Sequence, residues 1–163
     1  MHSEEAKVQS KILVAYFSWS GVTEKAARDI AAAVQGDTFQ IVPQEPYPSV
    51  YALCVAKAGM EKAREARPSI AGELPDTGKY TKIAIGFPIW WFSCPMIIHS
   101  FLGKINLEHK KVYVFCTSKS SGPKSSAQDI RNRRPGVRVG DCLDARKPEA
   151  LEEKAIRRWL EIE

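Results

Sequence analysis

A chain of 163 residues is long enough to bury a hydrophobic core as one domain without disulfides or a structural metal. Hydrophobic residues make up 44% of it and charged residues 26%, a composition that is ordinary for a soluble globular protein. The net charge of +5 raises the question of a nucleic-acid partner. The densest basic segment, 131–134 with Arg138 nearby, has no interleaved aromatic residue, and the chain carries no nucleic-acid motif. We therefore expect no nucleic-acid partner and interpret this segment as the solvated C-terminus of a helix.

The cysteines and histidines do not follow a metal-ligand spacing. There is no C-x-x-C pair, and the histidines are widely separated; the residues concerned are Cys54, Cys94, Cys116 and Cys142, and His2, His99 and His109. We therefore expect reduced thiols in a cytoplasmic protein and no metal site.

Two segments call for a test as targeting or membrane sequences. Residues 1–10 have no apolar core, so we expect a loose extension rather than a signal peptide, followed by a single domain over 11–163. Residues 83–103 carry no formal charge and are about long enough to cross a bilayer. Because Pro88 and Pro95 interrupt that stretch, it divides better into a strand, a loop and a helix. We expect no membrane span.

Along the chain, short apolar runs alternate with segments of helical periodicity. The apolar runs predict strands at 11–17, 38–42, 83–87, 111–116 and, weakly, 137–139. Helical spacing predicts a helix that ends near Gly36, and others at 50–67, 96–102, 127–134 and from Pro148 onward. The second of these helices is predicted to carry Leu53, Ala56, Met60 and Ala63 on one face. The last is predicted to bury Leu151, Ala155, Ile156, Trp159 and Leu160. This alternation predicts a doubly wound α/β domain with a parallel sheet.

A hydroxyl-rich segment, Ser18–Thr23, connects the first predicted strand to the first predicted helix. In doubly wound sheets, ligands bind beyond the carboxyl ends of the strands, where this segment lies. It combines unpaired backbone N–H groups, Ser and Thr hydroxyls and the positive end of a helix dipole, which together suit a phosphate group. The alternative is that Ser20 or Thr23 only caps the helix.

Two more loops follow strands at the same edge of the sheet. The segment Pro88–Ser93 contains three consecutive aromatic residues, whose flat surfaces suit a planar ligand. Core packing or a subunit interface is the alternative. The segment 117–122 offers hydroxyls and backbone amides, with a plain flexible turn as the alternative. Together the three loops predict a site for a mononucleotide with a planar ring.

Four segments resemble those of bacterial flavodoxin-like proteins: 15–23, 45–48, 86–91 and 115–118. The resemblance runs in consistent order from about Lys11 to Trp159, and Pro88–Trp91 is its most specific part. It implies a flavodoxin-like fold, with a five-stranded parallel sheet of order 2-1-3-4-5 between two helix layers, and bound FMN.

The resemblance also implies three groups of FMN contacts. The phosphate would be held by Ser18, Ser20, Gly21, Val22 and Thr23, with Trp19 contributing mainly its backbone. The isoalloxazine ring would be flanked by Pro88, Ile89, Trp90 and Trp91. Its pyrimidine side would meet Thr117, Ser118, Lys119, Ser120 and Gly122.

The chain departs from the family pattern in three respects. Val22 stands where members often carry Asn, which removes one side-chain contact. Lys119 and Ser120 replace two glycines, so the loop is either pushed outward or adopts an ordinary negative φ. The charge of +5 contrasts with the acidic character of one-electron carriers. We expect Lys119 to lie near the pyrimidine side and to stabilise an anionic reduced flavin, which favours hydride chemistry.

Two functions follow from this resemblance. One is an FMN-dependent oxidoreductase that passes electrons or hydride from a nicotinamide donor to a quinone-like small acceptor. The other is an electron carrier that docks on partner redox proteins and has no substrate of its own. The basic charge favours the oxidoreductase, or an acidic partner for the carrier. A third possibility is a family member that has lost FMN. Within the connection 43–80, Tyr47 and Tyr51 either overhang the flavin or contact a second subunit of a homodimer.

Overall fold

The computed structural model describes residues 11–91, 93–117 and 124–162, and a five-stranded parallel sheet forms its centre. The strands are β1 (Ile12–Tyr16), β2 (Asp37–Gln40), β3 (Lys82–Phe87), β4 (Lys111–Cys116) and β5 (Arg138–Asp144). They lie in the order β2-β1-β3-β4-β5, and every adjacent pair is parallel. The predicted doubly wound sheet and its order are therefore confirmed. Strand order reverses at β1 and β3, so a ligand crevice is expected beyond their carboxyl ends.

Within the described residues, five α-helices cover the two faces of the sheet: α1 (Val22–Val34), α2 (Tyr51–Ala63), α3 (Met96–Lys104), α4 (Lys124–Arg133) and α5 (Glu153–Trp159). Successive residues of a strand point to opposite faces, so β1 contributes to two hydrophobic clusters. Ile12 and Val14 pack with α1 and α5, whereas Leu13 and Ala15 pack with α2, α3 and α4. Both faces of β1 are buried, as its continuous apolar run predicts.

The structure differs most from the sequence-based prediction at β5 and at the last helix. β5 runs over seven residues, Arg138–Asp144, whereas the sequence predicts only 137–139. It is an edge strand with exposed polar positions, so its apolar signal is short. At the C-terminus, Pro148 opens a short 3-10 turn, and α5 begins only at Glu153. Ile156 and Leu160 are buried as predicted, while the other predicted positions are partly exposed.

The residues predicted to share one face of α2 do so, but that face is exposed, and the helix is shorter than predicted. The helix ends at Ala63 rather than at residue 67, and Glu65 adopts a positive φ of 51° just beyond it. Leu53 is 58% exposed and Met60 is 52% exposed. Ala56 and Ala63 are exposed as well, and the helix instead buries Cys54 and Ala58 against the rest of the domain.

The basic segment at the end of α4 forms hydrogen bonds with neighbouring elements of the fold. Arg131 donates hydrogen bonds to the carbonyl oxygens of Val139 and Gly140 on β5, and Arg134 donates one to the carbonyl oxygen of His99 on α3. Both arginines are partly buried. The segment lies at the C-terminus of a helix, as predicted, but the interpretation that it is simply solvated is wrong.

All four cysteines are free thiols. Two of them, Cys116 at the end of β4 and Cys142 on β5, have their Sγ atoms 3.3 Å apart. No helix in the described part of the chain is long and apolar enough to cross a bilayer.

Candidate functional site

The loop between β1 and α1 presents an open helix N-terminus. Gly21 is the N-cap residue and has φ 95° and ψ −12°, a left-handed conformation that glycine adopts without strain. Its N–H donates to Ser18 Oγ at 3.0 Å, which shapes the turn. No side chain of the described residues caps α1, so the alternative that Ser20 or Thr23 only caps the helix is wrong. Ser20 and Val22 are exposed, and the first-turn N–H groups have no partners within the helix. This end of α1 is therefore suited to an anion.

A buried hydrogen bond ties this loop to the end of β4. Thr23 Oγ1 and Thr117 Oγ1 lie 2.7 Å apart, and both residues are buried. The N–H of Thr117 donates to the carbonyl oxygen of Phe87 at 3.3 Å, and that of Phe17 to Gly86 at 3.0 Å. The structure thus brings the ends of β1, β3 and β4 to one edge, as the sequence predicts. The Thr23 hydroxyl is engaged with Thr117 inside the domain.

Trp19 turns its side chain away from the loop that contains it. The indole N–H donates to the carbonyl oxygen of Pro48 at 3.0 Å, and the ring lies 6.2 Å from that of Tyr51. Only the backbone of Trp19 is therefore available to a ligand at this loop. Tyr51 is 72% exposed, whereas Tyr47 is buried.

Trp90 belongs to an aromatic cluster. Its ring meets Phe17 edge-on at 5.4 Å and Tyr47 edge-on at 5.0 Å, the favoured geometry for aromatic pairs. Its backbone N–H and C=O both bond to Ser93, which closes a tight turn. Burial, together with a hydrogen bond to Glu61, raises the pKa of Tyr47, so the phenol stays neutral in this cluster.

Trp91 packs on α2 instead of standing parallel to Trp90. Its indole N–H donates to the carbonyl oxygen of Val55 at 2.9 Å, and its ring covers Gly59 so closely that a Cβ there would lie 2.9 Å from it. Lys62 donates to its carbonyl oxygen. Trp91 has a positive φ of 53° and remains 46% exposed. The two indoles thus have different neighbours, and Trp91 is the exposed one.

Pro88 and Ile89 complete the described part of the second loop, where Pro88 is partly exposed and Ile89 is buried. Phe92 lies outside the described residues. So does the segment 118–123, and the predicted contacts of Ser118, Lys119, Ser120 and Gly122 therefore stay predictions.

Beside the second loop lies a polar network that no sequence motif indicates. Asp129 on α4 accepts hydrogen bonds from Ser93 Oγ, from His99 Nε2 at 3.0 Å and from Arg133 Nε at 2.9 Å. Cys94 Sγ lies 3.3 Å from the same His99 nitrogen. Arg133 also pairs with Glu65 at 2.6 Å. The network joins the turn after β3 to α3, α4 and the chain beyond α2.

Within this network the carboxyl group of Asp129 is ionised. Burial disfavours the carboxylate, but the hydrogen bonds from His99, Ser93 and Arg133 outweigh it and hold the pKa of Asp129 well below its usual range. Burial raises the pKa of the Cys94 thiol, which therefore stays protonated.

Cys94, His99 and Asp129 offer three possible metal-ligand atoms within 4.8 Å of one another. Because Arg133 already neutralises the carboxylate and the thiol is protonated, the arrangement favours a hydrogen-bonded network over a cation. Cys94 and His99 are 5 residues apart, and His99 and Asp129 are 30 residues apart, spacings that match no metal-binding motif. The one sequence signal for this network was the polar His99 within the apolar run 96–102.

Comparison with known proteins agrees with this geometry. Residues 11–162 match the sequence model of the flavodoxin family. The chain belongs to the flavodoxin family. No curated protein matches it.

Solved structures of other flavodoxin-like proteins superpose on this one over most of its length. A protein from Bacteroides eggerthii DSM 20697, provisionally assigned as a flavoprotein, is 37% identical with a TM-score of 0.82 and covers 93% of this chain and 96% of its own. A similarly assigned protein from Bacteroides uniformis ATCC 8492 is 30% identical, with a TM-score of 0.80 and coverages of 93% and 98%. A flavoprotein from Lactobacillus acidophilus NCFM, solved in complex with FMN, is 22% identical with a TM-score of 0.72 and coverages of 82% and 91%, which supports the shared fold.

Proposed function

We propose that this flavodoxin family member binds FMN at the carboxyl edge of β1, β3 and β4 and acts as an oxidoreductase between a nicotinamide donor and a quinone-like small acceptor. The open N-terminus of α1 carries the proposal. A Ser18–Thr23 loop without a basic residue has to hold a phosphate dianion through N–H groups, hydroxyls and the helix dipole, and the uncapped, exposed Ser20–Val22 segment offers those donors.

The arrangement of the donors fits such a phosphate. Beyond Gly21, where a Cβ would meet nothing within 4 Å, there is open space above the helix end. Ser18 Oγ accepts from the Gly21 N–H, which leaves its own O–H free to donate outward. The FMN complex of the Lactobacillus acidophilus flavoprotein, which shares the fold, supports FMN as the ligand.

For the ring end of the site we propose Pro88–Trp91, which follow β3, and Thr117 at the end of β4. Ile89 and Trp90 are anchored in the core, so they form a rigid wall rather than a mobile cover. The Thr23–Thr117 hydrogen bond links the start of α1 to the end of β4. Bound FMN supplies the electron or hydride transfer, so the chain needs no catalytic triad.

Flavin titration tests the binding proposal. We expect the fluorescence of FMN to be quenched at micromolar protein, and FMN to bind at least about tenfold more tightly than riboflavin, which lacks the phosphate. Ser18→Ala should weaken FMN binding but not riboflavin binding, while Ser69→Ala on an exposed surface serves as the matched control. Unquenched FMN fluorescence would refute the proposal.

The alternative function is a carrier that exchanges electrons only with partner redox proteins. The net charge of +5 favours the oxidoreductase, because an anionic nicotinamide donor is attracted to a basic protein. Steady-state oxidation of NADH or NADPH by FMN-loaded protein with a quinone separates the two, since a pure carrier turns over only when a partner reductase is added.

A further inference from the structure

The exposed face of α2 is apolar along its whole length. It consists of Ala52, Leu53, Ala56, Met60 and Ala63, which we call the α2 stripe. At 3.6 residues per turn these positions span roughly a third of the helix circumference. No charged side chain interrupts them, although a solvated helix face normally carries charges.

Trp91 extends this surface on one side. Its ring lies over Gly59 and bonds to the Val55 carbonyl, so it is fixed next to the α2 stripe, and it remains 46% exposed. Leu53 and Met60 are 58% and 52% exposed. From these fractions and ordinary side-chain areas, the stripe with Trp91 exposes on the order of 500 Å² of apolar surface. Two such faces would bury about 1,000 Å², the lower limit of specific protein interfaces.

The spacing of large and small residues in the α2 stripe is self-complementary. Leu53 and Ala63 lie five residues on either side of residue 58, and Ala56 and Met60 lie two residues on either side of it. In an antiparallel pair related by a two-fold axis at that level, each large side chain faces an alanine of the other copy. Leucine and methionine then fill the space that the alanines leave, which is the packing that helix pairs require.

We propose that the α2 stripe is the interface of a homodimer in which two α2 helices pack antiparallel, with Leu53 against the partner's Ala63 and Met60 against the partner's Ala56. Lys57, at the opposite edge of the stripe and one residue from the level of the two-fold axis, then faces its own counterpart. Lys57 is already paired with Glu45 at 3.5 Å, so the repulsion is small, and raising the salt concentration should strengthen the dimer. An acidic partner protein would show the opposite salt dependence.

The register is tested by a charge pair across the two-fold axis. Ala56→Glu places two carboxylates near the axis and should weaken dimerisation at least tenfold. The double variant Ala56→Glu/Met60→Lys sets each Glu against a Lys of the other copy and should restore dimerisation to within about threefold of wild type. Both variants keep helix-forming residues at exposed positions, and the Glu–Lys pair at i,i+4 supports the helix, so folding is preserved. Val42→Glu, at an exposed apolar position outside α2, is the matched control.

Sedimentation equilibrium from about 1 to 500 µM protein gives the result directly, with and without FMN. We expect the mass to rise from 18.2 kDa toward twice that value, with a micromolar dissociation constant. Acrylamide quenching of tryptophan fluorescence should fall as the dimer forms, because Trp91 becomes covered. A monomer at the highest concentration, a dimer that tolerates Ala56→Glu, or a double variant no stronger than the single one would each overturn the proposal. None of these outcomes depends on FMN binding, so the two proposals fail separately.

Discussion

Removing the charge of Asp129 is predicted to destabilise the domain more than any exposed carboxylate does. Asp129→Asn keeps the shape of the side chain but loses the ionic part of its bonds with His99 and Arg133, which are 3.0 and 2.9 Å long. Its side chain is 21% exposed, so solvent screens these bonds only weakly. Hydrogen bonds to charged groups contribute about 1.5–3 kcal/mol each, and Asn retains part of them, so the free energy of unfolding should fall by about 2–4 kcal/mol.

Urea unfolding followed by circular dichroism measures this difference, and thermal unfolding should show a decrease in Tm of roughly 6–12 °C. Asp29→Asn is the matched control, because Asp29 is paired with Lys25 at 3.0 Å in an exposed i,i+4 arrangement. It should cost less than about 0.5 kcal/mol.

The pH dependence of the stability difference distinguishes the loss of the Asp129 charge from a change in the shape of the side chain. The pKa of Asp129 is lowered in the folded protein from the ordinary value of 3.8, so its contribution is present above that value and is lost as pH falls through the folded pKa. The difference between wild type and Asp129→Asn should be constant from pH 7 to about pH 5 and shrink below pH 4. A difference no larger than that of Asp29→Asn, or one that does not shrink in acid, would refute the ionic network.

Three further substitutions give results with a defined sign. Gly59→Ala should not bring the usual gain of about 1 kcal/mol for alanine in a helix, because its Cβ would lie 2.9 Å from the ring of Trp91; acrylamide quenching should show that ring displaced. Thr23→Val should destabilise the domain by about 1 kcal/mol in urea unfolding, because it leaves the buried Thr117 hydroxyl without its partner, and FMN titration should show weaker binding; an unchanged stability would mean that this hydrogen bond contributes nothing. Gly86→Ala should cost about 3 kcal/mol or prevent folding, because its Cβ would lie 2.0 Å from a phenylalanine ring of β4; a stable variant by circular dichroism would contradict this packing.

The sheet and its order could be predicted from the sequence because buried parallel strands carry continuous apolar runs. Ile12–Tyr16 and Lys82–Phe87 are of this kind, and each lies within a residue or so of its predicted bounds. β5 is longer than predicted because most positions of this edge strand are only partly buried, and Asp141 and Asp144 break its apolar pattern. Local pattern thus succeeds where both faces are buried and weakens at the edge.

Side-chain direction is what the sequence could not predict. The apolar periodicity of α2 is real, but it marks an exposed face, because periodicity shows that a stripe exists without showing which surface covers it. Similarly, Trp90 and Trp91 are adjacent in sequence, yet the positive φ of Trp91 sends the two rings to different neighbours. The Asp129 network joins residues from four segments, and no single-sequence spacing encodes such a contact.

The contact between Cys116 and Cys142 bears on how many electrons the protein takes up on reduction. The strand register pairs Cys116 with Asp144 and Cys142 with Val114, so the two cysteines are diagonal neighbours. Strand separation and rise per residue place their Cα atoms about 8 Å apart, beyond the reach of an unstrained disulfide, although their sulfur atoms touch at 3.3 Å. The folded protein therefore keeps both thiols under mild oxidants. In a reductive titration of the FMN-loaded protein, the endpoint should come at two electrons per chain, not four.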